Sequence, residues 1–204
     1  MKRYLPLLIL FLFLAPMGSA WVVYKYYPDM LSGMSRSNHG EFVDPVRQVD
    51  AEGLVNVLGN PLDKDTFRDH WTMLYIGKPG CDESCRTSLD KMRQVRLTQG
   101  PEMSRVITVF VIVGAGDIGH LSEYLLTQQN MLVARLQEDS SEKWLKPYIQ
   151  KDGKSPVDTR RVYFIDKLGQ LMMYFELDGE SKEMDKTTGM RKDLKKLLYD
   201  SKIG

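Results

Sequence analysis

Hydrophobic residues along this chain fall into two alternating patterns, short continuous runs and runs at helical spacing. Continuous apolar or β-branched runs predict strands, and they cover residues 54–58, 71–76, 105–113, 132–136, 162–166 and 171–175. Apolar residues that recur every three or four positions predict helices, and these cover residues 82–99, 117–129, 140–149 and 186–201. Parallel strand–helix units come first and a hairpin with a helix comes last, so this order predicts an α/β sandwich around a mixed sheet.

The N-terminal stretch has a different pattern, since no charged residue lies between Arg3 and Lys25. This stretch of about 21 residues is close to the length of roughly 20 that crosses a bilayer as a helix. Lys2 and Arg3 precede it, and the positive-inside rule then leaves the N-terminus in the cytoplasm. We therefore predict one N-terminal transmembrane helix within residues 1–27, with the rest of the chain outside the membrane.

A cleaved signal peptide is the alternative explanation of this stretch. Residues 5–15 would form its apolar core, and Gly18, Ser19 and Ala20 offer a small-residue cleavage site. The apolar run continues through residues 21–24, past that site, which favours the uncleaved anchor. Both alternatives export the same domain.

Polar and turn-forming residues follow from position 28 to position 50, and they predict a linker that leads as an extended segment into the domain. The folded domain itself is predicted over residues 51–204. Net charge is nearly balanced at +1, and 43% of the 204 residues are hydrophobic, which is enough for one ordinary domain with an appendage. A chain so close to neutral offers no basic face for nucleic acid.

The only two cysteines, Cys81 and Cys85, lie where the strand at residues 71–76 passes through a Gly-Lys-Pro-Gly turn into a helix. The N–H groups at a helix start stabilise a thiolate, which is both a nucleophile and a soft-metal ligand. This place between the first main strand and its helix is the thioredoxin-like position. We therefore predict a thioredoxin-like fold with redox or metal chemistry at the pair.

Three residues separate the two cysteines, whereas thioredoxin-type oxidoreductases use two. The wider spacing suits two thiolates on one soft ion such as Cu(I). Asp82 and Glu83 lie between the cysteines and oppose thiolate formation, whereas Lys78 could support it. A purely structural disulfide is the alternative. In a redox reaction Cys81, nearer the helix start, is expected to be the more exposed and attacking thiol, with Cys85 resolving.

The strand followed by Cys-x-x-x-Cys, the hairpin segment YFIDKLG at residues 163–169 and the predicted anchor together resemble a known family. They are similar to the Sco/SenC group of membrane-tethered, thioredoxin-fold proteins, and the resemblance covers most of residues 54–199. It implies a Sco/peroxiredoxin-like sandwich that acts in copper delivery to, and assembly of, cytochrome c oxidase. The implied cofactor is copper, and the implied partner is an oxidase subunit or another assembly factor.

Three shorter segments resemble one subgroup within this family. SNHG at residues 37–40, MRQVRL at residues 92–97 and the ending at residues 193–204 are similar to an uncharacterised subgroup of Sco-like membrane proteins associated with oxidase genes in proteobacteria. This implies a single-pass protein of the bacterial inner membrane with its domain facing the periplasm. Thiols there meet an oxidising environment, so a nearby pair tends to form a disulfide.

The sequence departs from the family at one copper ligand. Sco proteins bind copper with two cysteines and a histidine placed shortly before the hairpin, and that position falls at or beside Asp158. A carboxylate is a hard ligand and a poor substitute for imidazole on Cu(I). His120 is the best placed replacement, because strand-to-helix loops gather at one sheet edge. His70 is expected at the far end of its strand, and His39 in the linker.

Three hypotheses of function remain open at this stage. The first is a copper- or redox-handling assembly factor for a respiratory oxidase, and the second is a thiol–disulfide oxidoreductase without a metal. The third is a non-catalytic adaptor with a structural disulfide, so whether the protein is an enzyme stays undecided, with a non-enzyme favoured. The missing histidine favours the second and third. Arg160 and Arg161 could face an anionic partner surface.

Overall fold

A computed structural model describes residues 4–26, 38–128, 130–177 and 183–201 of the chain. The chain divides into two compact units, Met1–Ser37 and Asn38–Gly204. We describe the two units separately.

The first unit contains helix α1, Leu5–Tyr26. Of the helices that the structure describes, none is both long enough and apolar enough to cross a membrane. The anchor within residues 1–27 and the cleaved signal peptide both stay predictions from the sequence.

The second unit is a seven-stranded sheet with helices packed on it. Its strands are β1 (Glu41–Gln48), β2 (Leu54–Asn56), β3 (Trp71–Gly77), β4 (Val106–Ile112), β5 (Met131–Leu136), β6 (Arg161–Ile165) and β7 (Gln170–Glu176). Its described helices are α2 (Glu83–Leu97), α3 (Gly119–Thr127), α4 (Ser141–Leu145) and α5 (Glu183–Asp200). Short 3₁₀ turns cover Gly100–Arg105, Glu138–Ser140 and Lys146–Tyr148.

The sheet is mixed, as the order of elements predicted. Its strand order is β1-β7-β6-β3-β4-β5-β2. Strand β4 lies between β3 and β5 and is parallel to both, whereas β6 is antiparallel to β3 and to β7. Every residue of β3 is buried, and six of the seven in β4 are, which is expected of central strands covered on both faces.

Helices α2 and α5 pack on the sheet face that carries the cysteines. The predicted apolar face of α2 is confirmed, because its buried residues include Cys85, Leu89, Met92 and Val95. The last helix buries Met190, Leu194 and Leu198 in the same cluster. The opposite sheet face is covered by a second cluster that contains Phe67, Trp144 and Tyr148. The sheet therefore lies between two apolar clusters, one on each face. The loops that follow the strands lie at the edge of the sheet.

Two segments differ from the sequence prediction. Residues 41–48, expected in the linker and extended segment, form β1 and pair with β7. Only Val43 of this edge strand is buried, so the chain carries almost no alternating signal there. Residues 140–149, expected as one helix, form the five-residue α4 followed by a 3₁₀ turn that contains Pro147. Proline removes a backbone donor and interrupts a regular helix.

Candidate redox site

The cysteines lie at the junction between β3 and α2, where a disulfide joins Cys81 to Cys85 with their Cα atoms 5.2 Å apart. Cys81 is in the loop, and Cys85 is in the first turn of the helix. Asp82 between them is the N-cap residue of α2. Its carboxylate accepts hydrogen bonds from the Cys85 backbone N–H at 2.9 Å and from the Ser84 hydroxyl at 2.7 Å. These bonds lower the pKa of Asp82 below its ordinary value.

Two glycines allow the chain to pass close to this junction. A Cβ added to Gly77 would lie 3.2 Å from the Tyr75 ring and 3.7 Å from the Cys85 sulfur. Gly116 has a φ of +156°, and a Cβ there would lie 2.8 Å from Pro79. The loop that leads from β4 to α3 can therefore pack directly against the loop that carries Cys81.

Both cysteines are buried to the same extent. Cys81 exposes 4% of its surface and Cys85 exposes 5%. The expectation that Cys81 is the more exposed thiol is therefore wrong. The physical reason is that both side chains pack into the apolar cluster beneath α2, next to Tyr75 and Leu89.

An open cavity of about 380 Å³ lies in front of the disulfide. One wall comes from the end of β3 and the start of α2. The other wall comes from the loop before β6 and consists of Val157, Asp158, Thr159 and Arg160. The structure thus places Asp158, at or beside which the sequence resemblance put the family's histidine, in the same cavity as Cys81 and Cys85.

Charged side chains connect the two walls of this cavity. The Lys78 ammonium lies 2.6 Å from a carboxylate oxygen of Asp158, and both side chains are more than half exposed, at 65% and 59%. The Arg160 guanidinium donates to the Ser84 carbonyl oxygen at 3.3 Å. Lys78, which could have supported a thiolate, is therefore paired with a carboxylate instead.

These residues do not fit the three-ligand copper site that the resemblance implies. The two sulfurs are joined to each other, and Asp158, a carboxylate of the opposite wall of the cavity, is paired with Lys78. Within the described parts of the chain, no group of three or more histidine, cysteine, aspartate or glutamate residues could hold a metal ion. Copper prefers sulfur and imidazole to carboxylate oxygen in its reduced state.

The three histidines occupy different places. His120 is in the first turn of α3, but its side chain lies outside the described part of the structure, so its role as a ligand stays a prediction. His39 contacts Asp193 of α5 at 3.0 Å through Nδ1. His70 directly precedes β3, at the opposite end from Gly77, and its Nδ1 lies 3.1 Å from the Arg68 carbonyl oxygen.

Arg161 does not face a partner surface, contrary to expectation. Its side chain is only 2% exposed, and it forms ion pairs with Asp152 and Glu176. Burial works against its charge, yet the hydrogen bonds and charges of these two carboxylates raise the pKa of Arg161 above its ordinary value. Its neighbour Arg160 is half-buried and is engaged with Ser84.

Sequence reasoning missed three contributors to the site. It treated Asp82 as a charge that opposes a thiolate and overlooked its role as a cap, although aspartate before a helix is a recognised N-cap signal. Tyr75 and Thr159 both line the cavity, and no signal in the sequence identifies them. Their position depends on the pairing of β3 with β6, where Tyr75 lies opposite Val162.

A disulfide at a strand–helix junction on a mixed sheet with these connections defines a protein of the thioredoxin fold. Residues 71–201 match the family described as "Transmembrane-like, thioredoxin-like, C-terminal domain". The chain belongs to this family.

Similar proteins support a closer relationship to the Sco group. The mouse protein named "Protein SCO2 homolog, mitochondrial" is 29% identical over 128 residues, which is 58% of this chain and 48% of that protein. The chain thus spans about half the length of this curated relative. The predicted similarity to Sco/SenC-like proteins of the thioredoxin fold is confirmed by this relative, whereas the membrane anchor and the narrower subgroup stay predictions from the sequence.

Solved structures of Sco proteins share the fold. Apo Sco1 of Thermus thermophilus has a TM-score of 0.59 at 18% identity, covering 82% of this chain and 99% of that one. Yeast Sco1 with copper bound has a TM-score of 0.55 at 18% identity, covering 74% of this chain and 93% of that one. At such low identity these similarities establish the fold alone, and they confirm the predicted thioredoxin-like class.

Proposed function

We propose that this chain is a Sco-like factor that uses Cys81 and Cys85 for thiol–disulfide exchange during the assembly of cytochrome c oxidase. The observation that carries the proposal is the disulfide at the start of α2, which lines an open cavity. A disulfide at a helix start is reducible when a thiol can reach it, whereas a bridge buried away from any cavity is structural.

The exchange reaction needs a second dithiol. A partner thiolate attacks one sulfur of the Cys81–Cys85 bridge, so that a mixed disulfide forms and the other cysteine leaves as a thiolate. The partner's second thiolate then attacks the mixed disulfide. Two electrons have passed to this chain, whose two thiolates take up protons, and the partner carries the new disulfide. The reverse sequence would reduce a partner's disulfide.

The proposed partner is a cysteine-containing subunit of cytochrome c oxidase or another assembly factor. The proposed location is the bacterial inner membrane, with the domain facing the periplasm. Both proposals draw on the Sco relationship and on the uncharged N-terminal stretch of the sequence. The chain spans only about half of its curated relative, so these assignments are our inference.

Copper handling by the reduced pair is the second candidate. It is favoured by the pair of sulfurs in one cavity and by the yeast relative that is described with copper bound. Titration of the reduced full-length chain with Cu(I), against Cys81→Ser and Cys85→Ser variants, tests it. Binding that depends on both cysteines supports this candidate, and the absence of such binding removes it.

Complementation of a strain that lacks this gene tests the exchange proposal. We expect oxidase activity with the parent chain and its loss with Cys81→Ser, Cys85→Ser and the double variant. Thr87→Ala, which changes a residue of the same helix that does not line the cavity, is the control and should remain active. Equal activity of parent and double variant would leave only the adaptor role, and a disulfide potential well below roughly −300 mV would indicate a structural bridge.

A further inference from the structure

The ion pair between Lys78 and Asp158 lies across the cavity in front of the disulfide. We propose that this pair is a clasp that restricts the access of thiols to Cys81 and Cys85 and so regulates how fast the bridge is reduced. The inference rests on the proposed exchange function, because it concerns the same disulfide.

The clasp joins two separate elements of the fold. Lys78 belongs to the loop that leaves β3, and Asp158 belongs to the loop that leads into β6. These loops meet because β3 and β6 are antiparallel neighbours, with Tyr75 opposite Val162. Lys78 Nζ and Asp158 Oδ1, which are 2.6 Å apart, therefore connect one wall of the cavity to the other.

The disulfide is covered although the cavity in front of it is large. The cavity has a volume of about 380 Å³, yet Cys81 and Cys85 expose only 4% and 5% of their surfaces. Exchange requires an incoming thiolate to reach a sulfur. Lys78 and Asp158 line opposite walls of the cavity, so separation of this pair would widen the gap between the two walls.

The other charged groups around the cavity have fixed partners on α2. Asp82 accepts from the Cys85 amide and the Ser84 hydroxyl, and the half-buried Arg160 donates to the Ser84 carbonyl oxygen. Lys78 and Asp158 instead pair with each other across the cavity, and both side chains are more than half exposed. An exposed ion pair has a low net strength, so it can open and close without unfolding the site.

The rate of disulfide reduction in the purified full-length chain tests the clasp. Dithiothreitol is the reductant, and the appearance of free thiols is followed by alkylation. We expect Lys78→Ala and Asp158→Asn each to increase the rate constant about two- to fivefold, the range expected for loss of an exposed pair. The charge-swapped double variant, Lys78→Asp with Asp158→Lys, should return the rate towards that of the parent.

The two single variants separate a clasp from simple attraction of the negatively charged thiolate. Attraction alone predicts that Lys78→Ala slows reduction while Asp158→Asn accelerates it, and opposite directions would overturn the proposal, as would unchanged rates. Arg68→Ala breaks another exposed pair, Arg68 with Asp65, and should leave the rate unaltered. The assay uses purified protein, so failure of the clasp is distinguishable from failure of the exchange function, which is judged by oxidase activity.

Discussion

The carboxylate of Asp82 accepts a hydrogen bond from the backbone N–H of Cys85 at 2.9 Å, which places a negative charge within the first turn of α2. This charge offsets the stabilisation that a helix start gives to a thiolate. We expect Asp82→Asn, which keeps an oxygen acceptor for the cap, to favour the dithiolate and make the disulfide easier to reduce. A redox equilibrium with glutathione should shift in favour of the reduced form by roughly threefold or more, about 0.7 kcal/mol.

Asp63→Asn is the matched control for this change. Asp63 also accepts a hydrogen bond from a nearby backbone N–H, that of Asp65, but it is not among the residues around the disulfide cavity. An equal shift in both variants would indicate a general effect of charge and would contradict a local role for Asp82.

The same carboxylate should make stability dependent on pH. Hydrogen bonds from the Cys85 amide and the Ser84 hydroxyl lower the pKa of Asp82 in the folded chain below its unfolded value of 3.8. The contribution is therefore present above that value and is lost as pH falls through the lower folded pKa. We expect urea unfolding of the oxidised chain to show a stability advantage of the parent over Asp82→Asn at pH 6 that shrinks below about pH 4. A difference that is constant across this range would contradict the prediction.

Arg161 is buried beside two carboxylates, Asp152 and Glu176. Replacing both carboxylates with amides leaves a buried guanidinium without a counter-charge, which typically costs about 3 kcal/mol or more. We expect the free energy of unfolding in urea to fall by roughly this amount in the Asp152→Asn, Glu176→Gln double variant. Asp65→Asn removes an exposed partner of Arg68 and should cost less than about 1 kcal/mol. Similar costs at both places would show that burial of Arg161 has no energetic consequence.

The sequence predicted most of the fold because its central elements carry strong local signals. The runs at β3 and β4 are apolar except for one β-branched threonine each, Thr72 and Thr108, and form the buried middle of the sheet. Strand β1 was not predicted, because it is stabilised by pairing with β7, a contact between distant parts of the chain. Edge strands that are mostly exposed have no hydrophobic alternation to detect.

The candidate site was predicted less completely than the fold. Cys81 and Cys85 could be located from the strand–helix junction, since both the spacing and the preceding turn are local. The burial of Arg161 and the pairing of Lys78 with Asp158 could not, because each depends on partners from another loop or strand. Adjacent arginines in a sequence give no indication that one of them faces the interior.

Asp193 of α5 holds the beginning of the domain in place. Its carboxylate, on a side chain only 5% exposed, accepts from the backbone N–H groups of His39 and Gly40 at 2.6 and 2.9 Å. Asp193→Ala leaves two donors without their acceptor, and we expect a loss of about 2–4 kcal/mol in urea unfolding. His39→Ala removes only the ring contact and should cost less than about 1 kcal/mol.

Asp200→Ala on the exposed face of the same helix is the control for Asp193→Ala and should leave stability within about 0.5 kcal/mol of the parent. The reverse order, with His39→Ala costing more than Asp193→Ala, would show that the ring and not the two backbone donors holds the segment.

Asp158 lies in the disulfide cavity, and the sequence resemblance predicts the family's histidine at or beside it. Imidazole is a better ligand than carboxylate for Cu(I), and Asp158→His also removes the partner of Lys78. We expect the reduced Asp158→His variant to bind Cu(I) at least about tenfold more tightly than the reduced parent, equivalent to 1.4 kcal/mol, in competition with a chelator. Asp158→Asn releases Lys78 without adding an imidazole, so it separates the two effects. Equal affinities of the His and Asn variants would mean that a side chain at this position does not reach a metal held by Cys81 and Cys85.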